Sequence, residues 1–213
     1  MPRAILFANG EPPDLERMRA LIRPEDVLIA ADGGARHAAC LGLTPTRIIG
    51  DFDSLSEAEL VAFANAGARL ERHPPAKDET DLELALQTAL QAGYRPILVL
   101  GAYGGRLDQS LGVLSLLSAP ECIAADVRAE DGLTEAFFIR QQTEINGAPG
   151  DTVSLLPWGM PVTGVVTAGL EYPLQSETLS PYRTRGISNR MTVSQAQVSI
   201  ASGLLLCIHT RQK

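Results

Sequence analysis

Cysteine is scarce in this chain, and what there is lies scattered. The three cysteines, Cys40, Cys122 and Cys207, form no CxxC pair and no even set from which a disulfide framework could be built. That usage predicts a reducing cytoplasm. Long apolar runs are missing as well, since nothing approaches the roughly 20 residues that a membrane span needs. The opening run Ala4–Ala8 is too short for a secretory core and gives way to Asn9-Gly10-Glu11. No membrane partner is expected. Basic residues are outnumbered, 18 Lys and Arg against 25 Asp and Glu, for a net charge of -7. A nucleic-acid surface needs the opposite balance, so no nucleic acid is expected as a partner. A phosphate ligand stays open, because a local basic pocket or a metal ion can hold one. Repeats, low-complexity tracts and polar linkers are absent too.

What is present is an ordinary globular composition, 45% hydrophobic and 20% charged over 213 residues, long enough for a large buried core. In residues 1–126, short apolar runs alternate with amphipathic stretches. Ala4–Ala8, Val27–Ala31, Arg47–Ile49 and Ile97–Leu100 read as buried strands. Leu15–Ile22, Ala35–Leu41, Glu57–Ala66 and Asp81–Ala92 read as helices between them. The alternation predicts an α/β domain with a mostly parallel sheet and helices on both faces. In residues 127–213 the texture changes to short strand-like runs: Phe137–Arg140, Thr152–Leu156, Val162–Thr167, Met191–Val198 and Gly203–His209. Glycine and proline punctuate them and no helical pattern appears, which predicts an all-β, sandwich-like second domain.

The chemistry sits where the parallel strands end, the usual ligand position in open α/β sheets. Asp32-Gly33-Gly34 follows the second strand. Its glycines would let a ligand approach the backbone, or Asp32 would simply cap a helix. Asp51-Phe52-Asp53 follows the third. In an extended segment the two carboxylates share one side with Phe52 inward, and a hard divalent cation such as Mg2+ would relieve their repulsion. Lys77-Asp78-Glu79-Thr80-Asp81 opens the longest helix. Asp78 and Asp81 fit a reciprocal cap, yet Asp81 could also reach the same metal and Lys77 could neutralise phosphate. After Leu100 comes Gly104-Gly105-Arg106-Leu107-Asp108, with a guanidinium fork for phosphate and Asp108 as a cap of a helix over Leu111–Leu117 or a group facing substrate. Together these clusters describe a metal–polyphosphate site. The histidines His37, His73 and His209 read as surface or core residues, Cys207 and His209 lack further metal-ligand partners in the sequence, and Trp158 reads as a packing anchor.

The ordered set ADGGA (31–35), GDFDS (50–54), KDETD (77–81), GGRLD (104–108) and GISN (186–189) resembles the thiamine pyrophosphokinase family over nearly the whole chain. The resemblance implies diphosphate transfer from ATP to the hydroxyl of thiamine, with Mg2+ held by Asp51, Asp53 and Asp81. It implies that Asp32, Lys77, Arg106 and Asp108 serve ATP and its phosphates. Ser188 and Asn189 would touch thiamine in a cleft between the subunits of a homodimer. Whether a carboxylate accepts the hydroxyl proton stays open at this point, with Asp108 and Asp81 as the candidates. One departure is Gln109, where the family usually has histidine; glutamine can only hydrogen-bond, so the chemistry would rest on positioning and charge. Alternatives are a related pyrophosphokinase acting on a pterin alcohol and a non-catalytic nucleotide-binding protein.

Overall fold

The computed structural model describes residues 2–11 and 14–212. The chain divides into two compact units, Met1–Gly132 and Leu133–Lys213. In the first, β1 (Ala4–Phe7), α1 (Leu15–Leu21), β2 (Val27–Ala31), a 3-10 turn (Asp32–Gly34), α2 (Ala35–Cys40), β3 (Arg47–Gly50), α3 (Glu57–Asn65) and β4 (Arg69–Arg72) follow one another. Then come α4 (Asp81–Gln91), β5 (Ile97–Leu100), α5 (Leu107–Leu117), α6 (Pro120–Ala124) and β6 (Val127–Glu130). The strands pair in parallel in the order β6-β5-β1-β2-β3-β4. The expected division at 126/127 compares with one at 132/133, because β6 adds a sixth parallel strand to this unit.

Continuous apolar runs make the central strands. Ile5, Leu6 and Phe7 of β1 and Ile48 and Ile49 of β3 are fully buried, as a sheet covered on both faces requires. Helix α4 packs on β2 and β3 and buries Ala85, Leu86 and Ala89. β4 was not expected, since Arg69-Leu70-Glu71-Arg72 carries three charges; it is the edge strand, where charge guards an open ladder, and Arg47 grips Glu71 bidentately at 2.6 and 2.7 Å.

The second unit holds β7 (Thr134–Ile139), β8 (Gln142–Asn146), β9 (Thr152–Pro157), β10 (Val162–Ala168), β11 (Gln175–Leu179), β12 (Asn189–Arg190), β13 (Gln195–Ser199) and β14 (Leu205–Thr210). Within it, β12-β9-β14-β7 and β11-β10-β13-β8 are antiparallel groups. Phe137, Leu155 and Leu205 from the first group and Ile145, Val165 and Val198 from the second share one core, a sandwich arrangement. The single strand expected over Met191–Val198 is instead two. Asn189–Arg190 pairs with β9, and Met191 is held there by its own N–H to the Asp151 carbonyl (2.8 Å) and by Gly150 (2.7 Å). The chain then crosses to the other sheet and resumes as β13. Trp158 packs edge-on against Phe138 with centroids 5.2 Å apart. Among the described residues, no helix is long and apolar enough to cross a membrane.

Candidate active site

The site is built at the carboxyl ends of β2 and β3, which lie side by side and bring Asp32 against Asp51 and Asp53. One carboxylate oxygen from each of the three lies within 4.8 Å of the others. Asp32 is buried, sits at φ +43, and its Oδ1 has no hydrogen-bond partner. A buried, unpaired carboxylate oxygen among like charges is costly unless something positive reaches it. Asp32 caps nothing, because it lies inside the 3-10 turn and the position before α2 is Gly34.

Gly50 explains why the carboxylates meet here. A Cβ on it would stand 3.0 Å from Asp32 Cβ and 3.1 Å from Asp81 Cγ, so any larger residue would push against both carboxylate side chains. Asp81 thus adjoins the trio, although the trio itself is Asp32, Asp51 and Asp53. Lys77 Nζ lies 2.9 Å from Asp81 Oδ1 and 3.9 Å from Asp51 Oδ2, as an ion pair without aligned hydrogen bonding to Asp81. Burial, reinforced by the charges of Asp51 and Asp32, pushes Asp81 above the usual carboxylate range against the pull of Lys77. The Asp81 carboxylate, with Asp51 and Asp32, raises Lys77 in turn. One ammonium is shared among three carboxylates.

Several local expectations change. Asp51-Phe52-Asp53 is not extended: Phe52 sits at φ +67, and the Asp53 N–H donates to Asp51 Oδ1 at 3.0 Å. Helix α3 is capped by Ser56 in a capping box with Glu59. Thr80, not an Asp78–Asp81 pair, caps α4 by accepting from Glu83 N. Helix α5 begins at Leu107, so Asp108 lies in its first turn and Arg106 occupies the cap position. The Arg106 fork holds Asp108 at 3.1 and 2.5 Å on an exposed surface, with Gln109 exposed beside it. Gly33 and Gly34 serve the fold: Gly34 lies so close to the Phe7 carbonyl that a Cβ would collide, and Gly33 abuts the Asn9 side chain. The Glu11 side chain fills the place where a Cβ on Gly104 would sit, and Gly105 is exposed next to it.

In the second unit, Ser188 is exposed at φ +59 and its N–H donates to Ser154 Oγ at 3.0 Å. Asn189 is buried, donating to the Tyr172 carbonyl at 2.7 Å and accepting from the Tyr172 and Arg190 N–H groups. Its amide braces a loop. His209 does have carboxylate partners, unlike the expectation: Glu135 Oε1 meets Nδ1 and Asp151 Oδ2 meets Nε2, each at 3.0 Å, and all three residues are buried. Those partners lie 74 and 58 residues away, beyond any local motif. His37 is buried in α2, with Nε2 3.0 Å from the Gly10 carbonyl.

Comparison with known proteins bears on both units. Residues 18–127 match the family model described as thiamin pyrophosphokinase, catalytic domain, and residues 139–205 match thiamin pyrophosphokinase, vitamin B1 binding domain. A thiamine pyrophosphokinase from Bacillus subtilis is 29% identical over 184 residues, covering 85% of this chain and 86% of that one. Thiamin pyrophosphokinase 1 from Caenorhabditis elegans is 25% identical and covers 95% of this chain and 87% of its own. The crystal structure of thiamine pyrophosphokinase from Bacillus subtilis superposes with a TM-score of 0.87 at 25% identity, covering 100% of both chains.

Proposed function

The chain belongs to the thiamin pyrophosphokinase family, and from that premise we propose that it transfers diphosphate from ATP to the hydroxyl of thiamine, giving thiamine diphosphate and AMP. The observation that carries the reading is the buried, unpartnered Asp32 Oδ1 inside a trio of carboxylates at the ends of parallel strands. Hard oxygen donors in that number suit Mg2+, which would be held by Asp51 and Asp53 with Asp32 or Asp81 beside them. When bound, the metal supplies positive charge to the phosphate oxygens. The vitamin B1 binding domain match favours thiamine over a pterin alcohol as acceptor.

The residues then divide the work. Lys77, already drawn to Asp81 and Asp51, is placed to share its charge with a polyphosphate. Arg106 and Asp108 are exposed, so the guanidinium fork is free to leave its carboxylate for a phosphate. The thiamine hydroxyl attacks the β-phosphorus; the bond from that phosphorus to the oxygen bridging it to the α-phosphorus breaks, AMP leaves with that oxygen, and the hydroxyl proton passes to solvent. Such transfer depends on positioning and charge more than on a single acid or base, which accommodates Gln109. Ser188 is exposed and able to meet the acceptor, whereas Asn189 shapes the loop beside it. The working form is a homodimer in a reducing cytoplasm, where Cys40, Cys122 and Cys207 remain thiols.

The test is product identity by 31P NMR after incubation with ATP, Mg2+ and thiamine. AMP and thiamine diphosphate in equal amounts are expected. ADP with thiamine monophosphate would mean single-phosphoryl transfer and would overturn the reading.

A further inference from the structure

We propose that Arg72 is a positioning residue for the metal-binding carboxylates, clamping the Asp51-Phe52-Asp53 turn in the conformation that aims both carboxylates at one point. The inference rests on the reading of Asp51 and Asp53 as metal ligands. Phe52 lies at φ +67, a region that a residue with a Cβ occupies only when its surroundings hold it there. That unusual twist folds the Asp53 N–H back onto Asp51 Oδ1 and keeps the two carboxylates together. Relaxed to the extended or helical region, the turn would carry Asp53 away from Asp51 and Asp32.

Arg72 grips the twist at two points. Its Nη1 donates to the Asp51 carbonyl at 2.8 Å, just before Phe52, and its guanidinium carbon stands 4.8 Å from the Phe52 ring centroid. The ring is buried in the core of the unit, so the guanidinium presses on an anchored group. Strand pairing puts Arg72 in place: β4 runs parallel to β3 with Gly50 opposite Arg72, one residue before the turn.

The sign of the effect separates positioning from plain charge. A guanidinium near a cation site repels the cation, so its removal should tighten metal binding if charge were all that mattered. If Arg72 acts through geometry, removal should weaken binding.

Mn2+ serves as the probe of a hard divalent cation, because its free-ion EPR signal is lost on binding. It is titrated into the full chain without nucleotide for the parent protein and for Arg72→Ala, Arg72→Lys, Phe52→Leu, Arg72→Ala/Phe52→Leu and Asp53→Asn. Arg72→Ala is expected to bind about tenfold more weakly, a shift of the size set by one hydrogen bond and one ring contact. Arg72→Lys should fall between, since an ammonium keeps the charge but lacks the planar fork. The double variant should lose less than the two single losses combined, because both act on one turn. In steady state, the KM for Mg2+ should rise while kcat at saturating Mg2+ is largely kept. Equal or tighter Mn2+ binding by Arg72→Ala, while Asp53→Asn loses it, overturns the clamp and leaves the metal reading standing. A lower unfolding temperature with unchanged Mn2+ affinity overturns it too, by assigning Arg72 to the fold alone. Asp53→Asn binding like the parent would bring down the metal reading and this inference with it.

Discussion

In the C-terminal unit, Glu135 and Asp151 hold His209 from both ring nitrogens, and Asp151 also accepts the N–H groups of Ala148 and Gln212. In the N-terminal unit, Asp32, Asp51 and Asp53 crowd together with Asp81 alongside, Lys77 pairs with Asp81 and Asp51, and Asp32 Oδ1 meets no partner. Both clusters combine carboxylates with a cationic side chain near buried backbone. They differ in completion. The first satisfies Asp151 at both oxygens and behaves as architecture; the second keeps an excess of negative charge aimed at one place. A cluster short of positive charge, at the ends of parallel strands, is where a cation and its phosphate ligand belong.

Mutation should separate the two clusters by opposite signatures. Asp53→Asn should cost about a thousandfold in kcat/KM, since losing one metal ligand removes several kcal/mol of transition-state stabilisation. Its metal-free unfolding should barely move, because Asp53 is exposed. Steady-state kinetics at saturating Mg2+ together with denaturant unfolding check both halves, and near-normal turnover would erase the distinction.

His209→Gln should show the reverse. Two buried carboxylates would lose their shared cation, at a cost of about 3 kcal/mol or more in stability, with kcat per folded molecule unchanged. Its pH dependence sharpens the point with a smaller effect. Burial opposes the charged imidazolium of His209, but the hydrogen bonds to Glu135 and Asp151 and the charge of Glu135 outweigh it and raise the pKa above the ordinary 6.5. That contribution is fully present below about pH 6.5 and is lost as pH rises through the raised value. Burial likewise disfavours ionised Asp151, but the Ala148 and Gln212 N–H groups and His209 bring its pKa below the ordinary 3.8. Its contribution is present above pH 3.8 and is lost as pH falls through the lowered value. The stability of the parent should therefore fall as pH rises above neutrality, and His209→Gln should flatten that slope; a parallel slope in both would remove His209 as its source.

Much of this was legible in the sequence because it was local. Val27–Ala31 and Ile97–Leu100 are strands residue for residue as their apolar runs predict, and the acidic motifs fall at strand ends as expected. The illegible parts need neighbours that only the fold supplies. Asp32 joins Asp51 and Asp53 because β2 pairs with β3, a register that no motif states. The β4 strand hid behind its charges, the strand expected over Met191–Val198 broke where the chain changes sheets, and the His209 partners lie far off in the chain. The turn at Phe52 was misread as extended because Arg72, which grips it, comes from the next strand.

The most direct test of the contrast is thermal unfolding of the parent, Asp53→Asn and His209→Gln with and without Mg2+ and a non-hydrolysable ATP analogue. A ligand that binds only the folded state raises stability by mass action, about 2.7 kcal/mol at a hundred times its Kd. The parent and His209→Gln should gain equally in Tm on adding Mg2+ with the analogue, although His209→Gln starts lower. Asp53→Asn should start level with the parent and gain little. An equal gain in Asp53→Asn would contradict the account, because the acidic cluster of the N-terminal unit would then not be where the cation completes the site.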